Sequence, residues 1–363
     1  MAGTKHLAIL VSANGYGHIR RQILIATELL KHNSNLLVSF AVTDAQYRRF
    51  KIEIENLGAR AEAVVGITED SVRWRHDAAS YTDTNLNGWE SELARTPALI
   101  NADFVMSDNL VGVLETRPDT VLSGSFLWHE VISAHAISNA ACRKFVEREI
   151  NLLQTHAPRM ICNADLATPA VLSLTNPVLM PWMVEEFSES QLSTQVLQSA
   201  SQRSAILVHG GGTRTLDNHV RSIAELLRVN GHVVYTDLED DSMCFDYQDS
   251  TWQKLGVVIC RPGVGTATEC VKWRIPIVLI HDQTNVEAEF VAARLKKLEL
   301  AHDCEFDSNE SETINLVAKL LSVNKNNSFL KPFASLKKTG INDGGRSGCG
   351  ARNGPPQKNH SCS

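Results

Sequence analysis

The residues with the clearest chemical potential form the glycine-rich turn Arg261-Pro262-Gly263-Val264-Gly265-Thr266, which directly follows the apolar run at residues 257–260. This order predicts a strand, a tight turn and a helix, with Glu269 inside that helix. Glycine lets the backbone approach a ligand closely, and the N–H groups at a helix N-terminus attract phosphate oxygens. Glu269 can accept hydrogen bonds from ribose hydroxyls, although an ordinary helix acid is the alternative. The segment therefore indicates a nucleotide-binding site.

A second glycine-rich segment follows the apolar run at residues 206–208. Three consecutive glycines there can form a second phosphate loop, and Arg214 offers two N–H donors to phosphate oxygens. A flexible surface turn is the alternative. The predicted phosphate ligands of this segment are Gly210, Gly211, Gly212, Thr213 and Arg214.

Two short polar residues, Asp282 and Gln283, follow a further predicted strand at residues 275–280. Sugar hydroxyls need hydrogen-bond donors and acceptors together, and carboxylate and amide groups supply both. The carboxyl end of a buried strand is a common place for such ligands. We therefore expect these two residues to face a sugar.

A fourth candidate group follows the apolar run at residues 6–11. Gly15 and Gly17 allow a sharp turn, and His18 lies where this turn meets a predicted helix. The positive end of the helix favours a neutral imidazole, which can accept a proton. Asp108 ends another predicted strand and can orient His18 or bind an acceptor. Turn capping by His18, and a helix-capping or loop role for Asp108, are the alternatives.

Sequence signatures of other catalytic or metal sites do not occur. Arg20 replaces the third glycine of a dinucleotide-binding fingerprint, which argues against hydride transfer. The sequence has no HExxH pair, no spaced Cys/His metal set, no GxxxxGK[ST] loop and no GxSxG elbow. We expect neither a metal nor a cofactor, because Arg214, Arg261 and two helix ends can offset the phosphate charge of a nucleotide co-substrate.

The elements that position these residues alternate between apolar runs and helical patterns in both halves of the chain, including one long predicted helix near residues 130–155. Such alternation predicts an α/β protein with parallel sheets. We predict two Rossmann-like αβα domains that face each other across a cleft, at residues 1–183 and 184–338. Residues 339–363 are rich in Gly, Asn, Ser, Pro and Lys, and are predicted to be disordered.

Composition limits the classes of function. A chain of 363 residues is long enough for two domains, and its formal net charge of −6 argues against a general nucleic-acid binder. Eight cysteines without a CxxC pair favour a reducing, cytoplasmic setting. The N-terminus lacks a signal-peptide pattern, and no apolar run approaches the roughly 18 residues that span a bilayer. We expect a soluble cytoplasmic protein, with peripheral membrane contact left open.

Taken in order, four stretches resemble the two-domain GT-B glycosyltransferases, especially the family 28 group. That group includes the enzyme that adds N-acetylglucosamine to a lipid-linked peptidoglycan precursor. The likeness covers about residues 5–322 and rests on Gly15-Tyr16-Gly17-His18, His209-Gly210-Gly211-Gly212-Thr213, the turn at 261–266 with Glu269, and Asp282-Gln283. It implies that His18 is the acceptor base and that Glu269 holds the ribose. It also implies that both later glycine loops bind the diphosphate and that Asp282-Gln283 contacts the donor sugar.

These observations predict an enzyme that transfers a hexose-type sugar from a nucleoside diphosphate, with uridine as the expected base. The sequence does not identify the acceptor, which can be a sugar, a lipid or another small molecule. The stretch Gly17-His18-Ile19-Arg20 also resembles sugar-nucleotide hydrolases of the same fold, in which water replaces the acceptor. A hydrolase or epimerase, and a sensor that binds a nucleotide sugar without turnover, are therefore the alternatives.

Overall fold

The structure is a computed structural model that describes residues 3–184, 203–211, 216–281, 285–304, 310–325, 336 and 338–339. Five of the predicted ligands lie outside these residues: Gly212, Thr213, Arg214, Asp282 and Gln283. The segment 340–363, which forms almost all of the predicted disordered tail, lies outside them as well.

Residues 3–184 form a first unit around a parallel sheet. Its elements in chain order are β1 (Lys5–Leu10), α1 (Tyr16–His32), β2 (Leu36–Val42), α2 (Asp44–Glu55), β3 (Ala61–Val65), α3 (Asp83–Asn87), α4 (Trp89–Ala94), α5 (Pro97–Ile100), β4 (Phe104–Asp108), β5 (Val121–Ser123), α6 (Trp128–Ala136), α7 (Ala140–His156), β6 (Arg159–Asn163), α8 (Pro169–Leu174), β7 (Asn176–Met180) and β8 (Trp182–Met183). Two short 3₁₀ helices lie at Ala78–Ser80 and Val111–Glu115. The sheet has seven strands within this range, in the order β3-β2-β1-β4-β5-β6-β7.

The described residues between 203 and 325 form a second unit of the same kind. Its elements are β9 (Ala205–His209), α9 (Asp217–Val229), β10 (Val234–Thr236), α10 (Asp249–Trp252), β11 (Leu255–Cys260), α11 (Val264–Trp273), β12 (Ile277–Leu279), α12 (Val286–Lys297), β13 (Ala301–Asp303) and α13 (Glu310–Lys325). Its parallel sheet has five strands within the described part, in the order β10-β9-β11-β12-β13.

The apolar runs in the sequence are strands that are covered by helices on both faces. In β1, Leu7 and Ile9 pack into a cluster with residues of α1 and α2. Ala8 and Leu10 point to the other face and join a cluster that includes residues of α6 and α7. A strand that is buried on both faces needs apolar residues at every position, which explains the continuous runs. The predicted α/β class and the parallel sheets are confirmed.

The two units contact each other directly. Arg294 in α12 donates from Nε to the backbone carbonyl of Asp165, at 2.6 Å. The strand β14 (Lys338–Thr339) pairs in parallel with β8, so the chain returns to the segment that leaves the first unit. Thr339, the first residue of the predicted disordered tail, therefore belongs to a strand pair, because backbone pairing does not depend on side-chain composition. The predicted boundary between residues 183 and 184 stays a prediction.

The long helix predicted near residues 130–155 is wrong in one respect, since the structure has two helices there, α6 and α7. Asn139 separates them: its side chain accepts hydrogen bonds from the N–H groups of Ala141 and Cys142 and so caps the start of α7. Among the described residues, no helix combines the length and the apolar character needed to cross a membrane.

Candidate functional site

The predicted site residues lie where strands of both sheets end. In the first sheet, β2 lies on one side of β1 and β4 on the other, so the segments that follow β1 and β4 diverge and leave a crevice. The second sheet has the same arrangement at β9 and β11. These four strand ends carry the β1–α1 turn, Asp108, the glycine loop at residues 210–211 and the turn at 261–263. The topology thus explains why residues far apart in sequence meet in one region.

His18 and Asp108 form a hydrogen-bonded pair at the first crevice. His18 is in the first turn of α1, and its Nδ1 lies 2.8 Å from Oδ2 of Asp108, the last residue of β4. Asp108 is fully buried, and only 8% of the surface of His18 is exposed. Arg21, one turn further along α1, donates from Nη2 to Oδ1 of the same carboxylate. One buried carboxylate therefore holds an imidazole and a guanidinium at once.

The surroundings of Asp108 determine its charge and the tautomer of His18. Burial alone would raise the pKa of Asp108, but Arg21 and His18 outweigh burial and hold this pKa below its usual range. The carboxylate is therefore ionised at neutral pH and can only accept, so Nδ1 of His18 donates the hydrogen bond between them. In the neutral form of the imidazole, a proton on Nδ1 leaves the lone pair on Nε2, the nitrogen that does not face Asp108. The pair has the chemistry of a general base.

The turn before α1 is held by a buried amide. Gln46 in α2 donates from Nε2 to the carbonyls of Ser12, at 2.7 Å, and Gly15, at 3.1 Å. Gly15 has φ +82°, a conformation that residues with a Cβ rarely adopt. Asn14 accepts a hydrogen bond from the backbone N–H of Trp74 at 3.0 Å. These contacts fix the position from which α1 presents His18.

The N-termini of α1 and α11 converge from opposite units. Both helices begin after a glycine, Gly15 or Gly263, which has no side chain to cap the first N–H groups. They approach so closely that a Cβ on Gly17 would lie 3.6 Å from Cα of Gly265. Each helix end carries roughly half a positive charge, so two such ends repel unless an anion offsets them. The convergence therefore favours binding of an anion such as a phosphate group.

Glu269 also faces the first unit. It is 7% exposed, and its Oε1 lies 2.9 Å from Nη2 of Arg20. The structure thus brings the predicted ribose ligand to the boundary between the units and pairs it there with a cation. Arg20, which replaces a fingerprint glycine, has a role across this boundary that its position in the sequence does not show.

The glycine loop after β9 already has an acidic partner. Gly210 N–H donates to Oδ1 of Asp237 at 3.3 Å, and Gly211 N–H donates to Oδ2 at 3.2 Å. Gly211 N–H also lies 2.9 Å from Nδ1 of His209. Gly211 has φ +87°, and a Cβ added there would lie 4.0 Å from Cδ of Arg261. This loop is therefore adjacent to Arg261, and the chain itself occupies two of the N–H groups that were predicted to bind phosphate.

The sequence analysis missed three charged residues of this region: Arg21, Asp237 and Glu287. Glu287 lies in the first turn of α12, which packs against α6. Burial is the largest influence on this carboxyl and raises its pKa, against the opposing charges of Arg261, His18 and Arg21. An acid in the first turn of a helix is the only signal of Glu287 in the sequence, and that signal is common. Among the described residues, no group of three or more His, Cys, Asp or Glu side chains could hold a metal ion.

Comparisons with known proteins give likenesses in structure alone. No protein-family model and no curated protein matches the sequence. The structure of Phytolacca americana UGT2 with UDP-2fluoro-glucose and pterostilbene is similar at a TM-score of 0.62 and 11% identity, over 91% of this chain and 93% of that one. Arabidopsis thaliana UGT89C1 with quercetin is similar at 0.60 and 12% identity, over 94% and 96%. The spinosyn rhamnosyltransferase SpnG is similar at 0.54 and 12% identity, over 91% and 95%.

These likenesses show that the chain has the GT-B fold, as predicted. They extend over both Rossmann-like units of the chain. Identities of 11–12% show the fold alone. The resemblance to family 28 and to the hydrolases stays a prediction.

Proposed function

We propose that this protein is a glycosyltransferase, which moves a hexose-type sugar from uridine diphosphate to a hydroxyl group of a small-molecule, lipid or sugar acceptor. The observation that carries the proposal is the buried His18–Asp108 pair at the N-terminus of α1. This helix end converges with that of α11, so a proton acceptor and an anion-binding region lie side by side. A UDP-sugar is proposed because the similar Phytolacca americana structure contains UDP-2fluoro-glucose.

In the proposed reaction, Asp108 keeps the proton of His18 on Nδ1, and Nε2 takes the proton of the acceptor hydroxyl. The acceptor oxygen forms a bond to the anomeric carbon while the bond from that carbon to the phosphate oxygen breaks. The departing diphosphate gains negative charge, which the N–H groups at the start of α11 and the Arg261 guanidinium stabilise. Preorganised donors of this kind often make the largest contribution to catalysis.

The remaining donor contacts follow from the resemblance. Glu269 would bind the ribose hydroxyls beside Arg20, and Asp282-Gln283 would contact the donor sugar. No metal is required in this proposal, because Arg261 and two helix ends supply the positive charge next to the diphosphate. Full activity in the presence of EDTA would support that feature, and restoration of lost activity by Mg²⁺ would contradict it.

The test measures release of UDP from UDP-sugars with and without a panel of acceptor alcohols. Release that needs an acceptor supports transfer, whereas release without one identifies a hydrolase, and binding of donor without release identifies a sensor. The variant His18→Ala should lower kcat by about 10²- to 10⁴-fold, with little change in donor affinity. His32→Ala is the matched control, because His32 is an exposed residue at the end of the same helix.

A further inference from the structure

A carboxylate occupies one of the two glycine loops of the second unit. Asp237 directly follows β10, which pairs in parallel with β9, with Thr236 opposite Val208. This register places Asp237 beside the end of β9, where both of its oxygens accept hydrogen bonds from the backbone N–H groups of Gly210 and Gly211. The side chain is only 11% exposed.

The same N–H groups cannot serve Asp237 and a phosphate equally well. An entering diphosphate would have to displace a carboxylate that is already bonded, and the two anions would repel each other at close range. The start of α11 differs, because its N-cap Gly263 has no side chain and the preceding turn contains Arg261. Of the two glycine loops, the one before α11 is therefore better suited to hold the diphosphate.

We propose that Asp237 is a positioning residue of the donor site, which holds the loop at Gly210 and Gly211 and thereby directs the diphosphate to the N-terminus of α11 and Arg261. The proposal rests on the proposed function for the identity of the ligand. The role of Asp237 in holding the loop is independent of it.

The shape of the loop explains how Asp237 would act on the donor. Gly211 has a left-handed backbone conformation, and a Cβ added there would lie 4.0 Å from Cδ of Arg261. Loss of the two hydrogen bonds to Asp237 would loosen this turn, and the loop backbone beside Arg261 would move. Binding of the donor would weaken, whereas proton transfer at His18, in the other unit, would not change.

The first experiment needs no ligand. Selective ¹⁵N-glycine labelling limits the amide spectrum to the 21 glycines of the chain, so exchange of Gly210 and Gly211 can be followed individually by NMR. Asp237→Ala should speed exchange at Gly210 about tenfold or more, because this amide loses its hydrogen bond to a charged group. The effect at Gly211 should be smaller, because its N–H keeps the contact with Nδ1 of His209. Asp237→Asn should protect one of the two amides, since only its carbonyl oxygen accepts. Unchanged exchange in Asp237→Ala would overturn the proposal.

The second experiment adds UDP to the wild-type protein. We expect slower exchange at Gly265, in the first turn of α11, and no further protection at Gly210 and Gly211. If UDP instead slows exchange at Gly210 and Gly211, the proposal that the diphosphate binds at the N-terminus of α11 is wrong. If UDP does not bind at all, the proposed function fails, while the ligand-free result for Asp237 still stands or falls separately.

The third experiment separates positioning from general damage by kinetics. Asp237→Ala should raise the KM for the donor about tenfold and leave kcat within about threefold of wild type. Asp240→Ala is the matched control, because Asp240 lies on the same segment but pairs with Arg221 at the surface. A fall in kcat without a change in KM, or an equal effect of Asp240→Ala, would contradict a positioning role.

Discussion

The variant Asp108→Asn tests the proposed base most sharply, because it keeps the volume of the side chain and changes only its hydrogen bonding. The carboxylate of Asp108 accepts one hydrogen bond from His18 and one from Arg21. An asparagine has a single acceptor oxygen, so it can serve only one of these donors, and its NH₂ group must face the other. Arg21 should form the hydrogen bond to this oxygen, because hydrogen bonds from a charged donor are stronger.

The size of the effect follows from two losses. Hydrogen bonds to charged groups contribute about 1.5–3 kcal/mol and neutral ones about 1 kcal/mol, so the preference for Arg21 amounts to about 1 kcal/mol or more. His18 would then have to accept at Nδ1 and carry its proton on Nε2, which leaves the reactive tautomer at about one fifth of the population or less. Loss of the charged partner of the imidazolium removes about another 1.5–3 kcal/mol. Together, kcat should fall by about 10²- to 10³-fold.

The assay is steady-state transfer at neutral pH, with donor affinity measured separately by calorimetry. The losses in kcat caused by Asp108→Asn and His18→Ala should not be additive, because both variants remove the same hydrogen-bonded pair. The double variant should therefore be no slower than His18→Ala. Asp119→Asn is the control: Asp119 is an exposed carboxylate that also holds an arginine, Arg117, through two hydrogen bonds. A kcat for Asp108→Asn within tenfold of wild type, or additive losses, would refute the reasoning.

Two further predictions concern packing and pH. Gly265→Ala should raise the donor KM about fivefold or more, because its Cβ would lie 3.1 Å from Cα of Gly17 and force the helix ends apart. Gly17→Ala, whose Cβ would meet Gly265 at 3.6 Å, should do so less, and equal effects would contradict this geometry. Burial raises the pKa of Glu149, so the folded protein loses stability as pH rises from the unfolded-state value, near 4.3, through the folded-state pKa. The difference in thermal unfolding midpoint between Glu149→Gln and wild type should therefore be more favourable to the variant at pH 8 than at pH 4. A difference that does not depend on pH, or the same change in the exposed control Glu147→Gln, would contradict this prediction.

The chemistry at strand ends could be predicted from the sequence, because parallel sheets place their carboxyl ends at one edge. His18 follows β1 and Asp108 ends β4, and these strands are neighbours, so the pair needed no knowledge of side-chain packing. Helix boundaries were less predictable. The apolar pattern across residues 130–155 continues through Asn139, and only the capping hydrogen bonds of this residue show that two helices meet there.

The charged partners of the site could not be predicted, because each depends on a long-range contact between elements. Arg21 in α1 pairs with Asp108 at the end of β4, and Arg20 in α1 pairs with Glu269 in the other unit. The sequence analysis assigned the phosphate charge to Arg214 and Arg261. It gave no partner to Arg20 or Arg21, which hold acids in the structure. In the proposed site, the positive charge beside the diphosphate therefore comes from Arg261 and from the backbone N–H groups at the two helix ends, and not from Arg20 or Arg21. Because backbone groups are fixed by the fold, single arginine substitutions at Arg20 or Arg21 should disturb domain contact or the base more than phosphate binding.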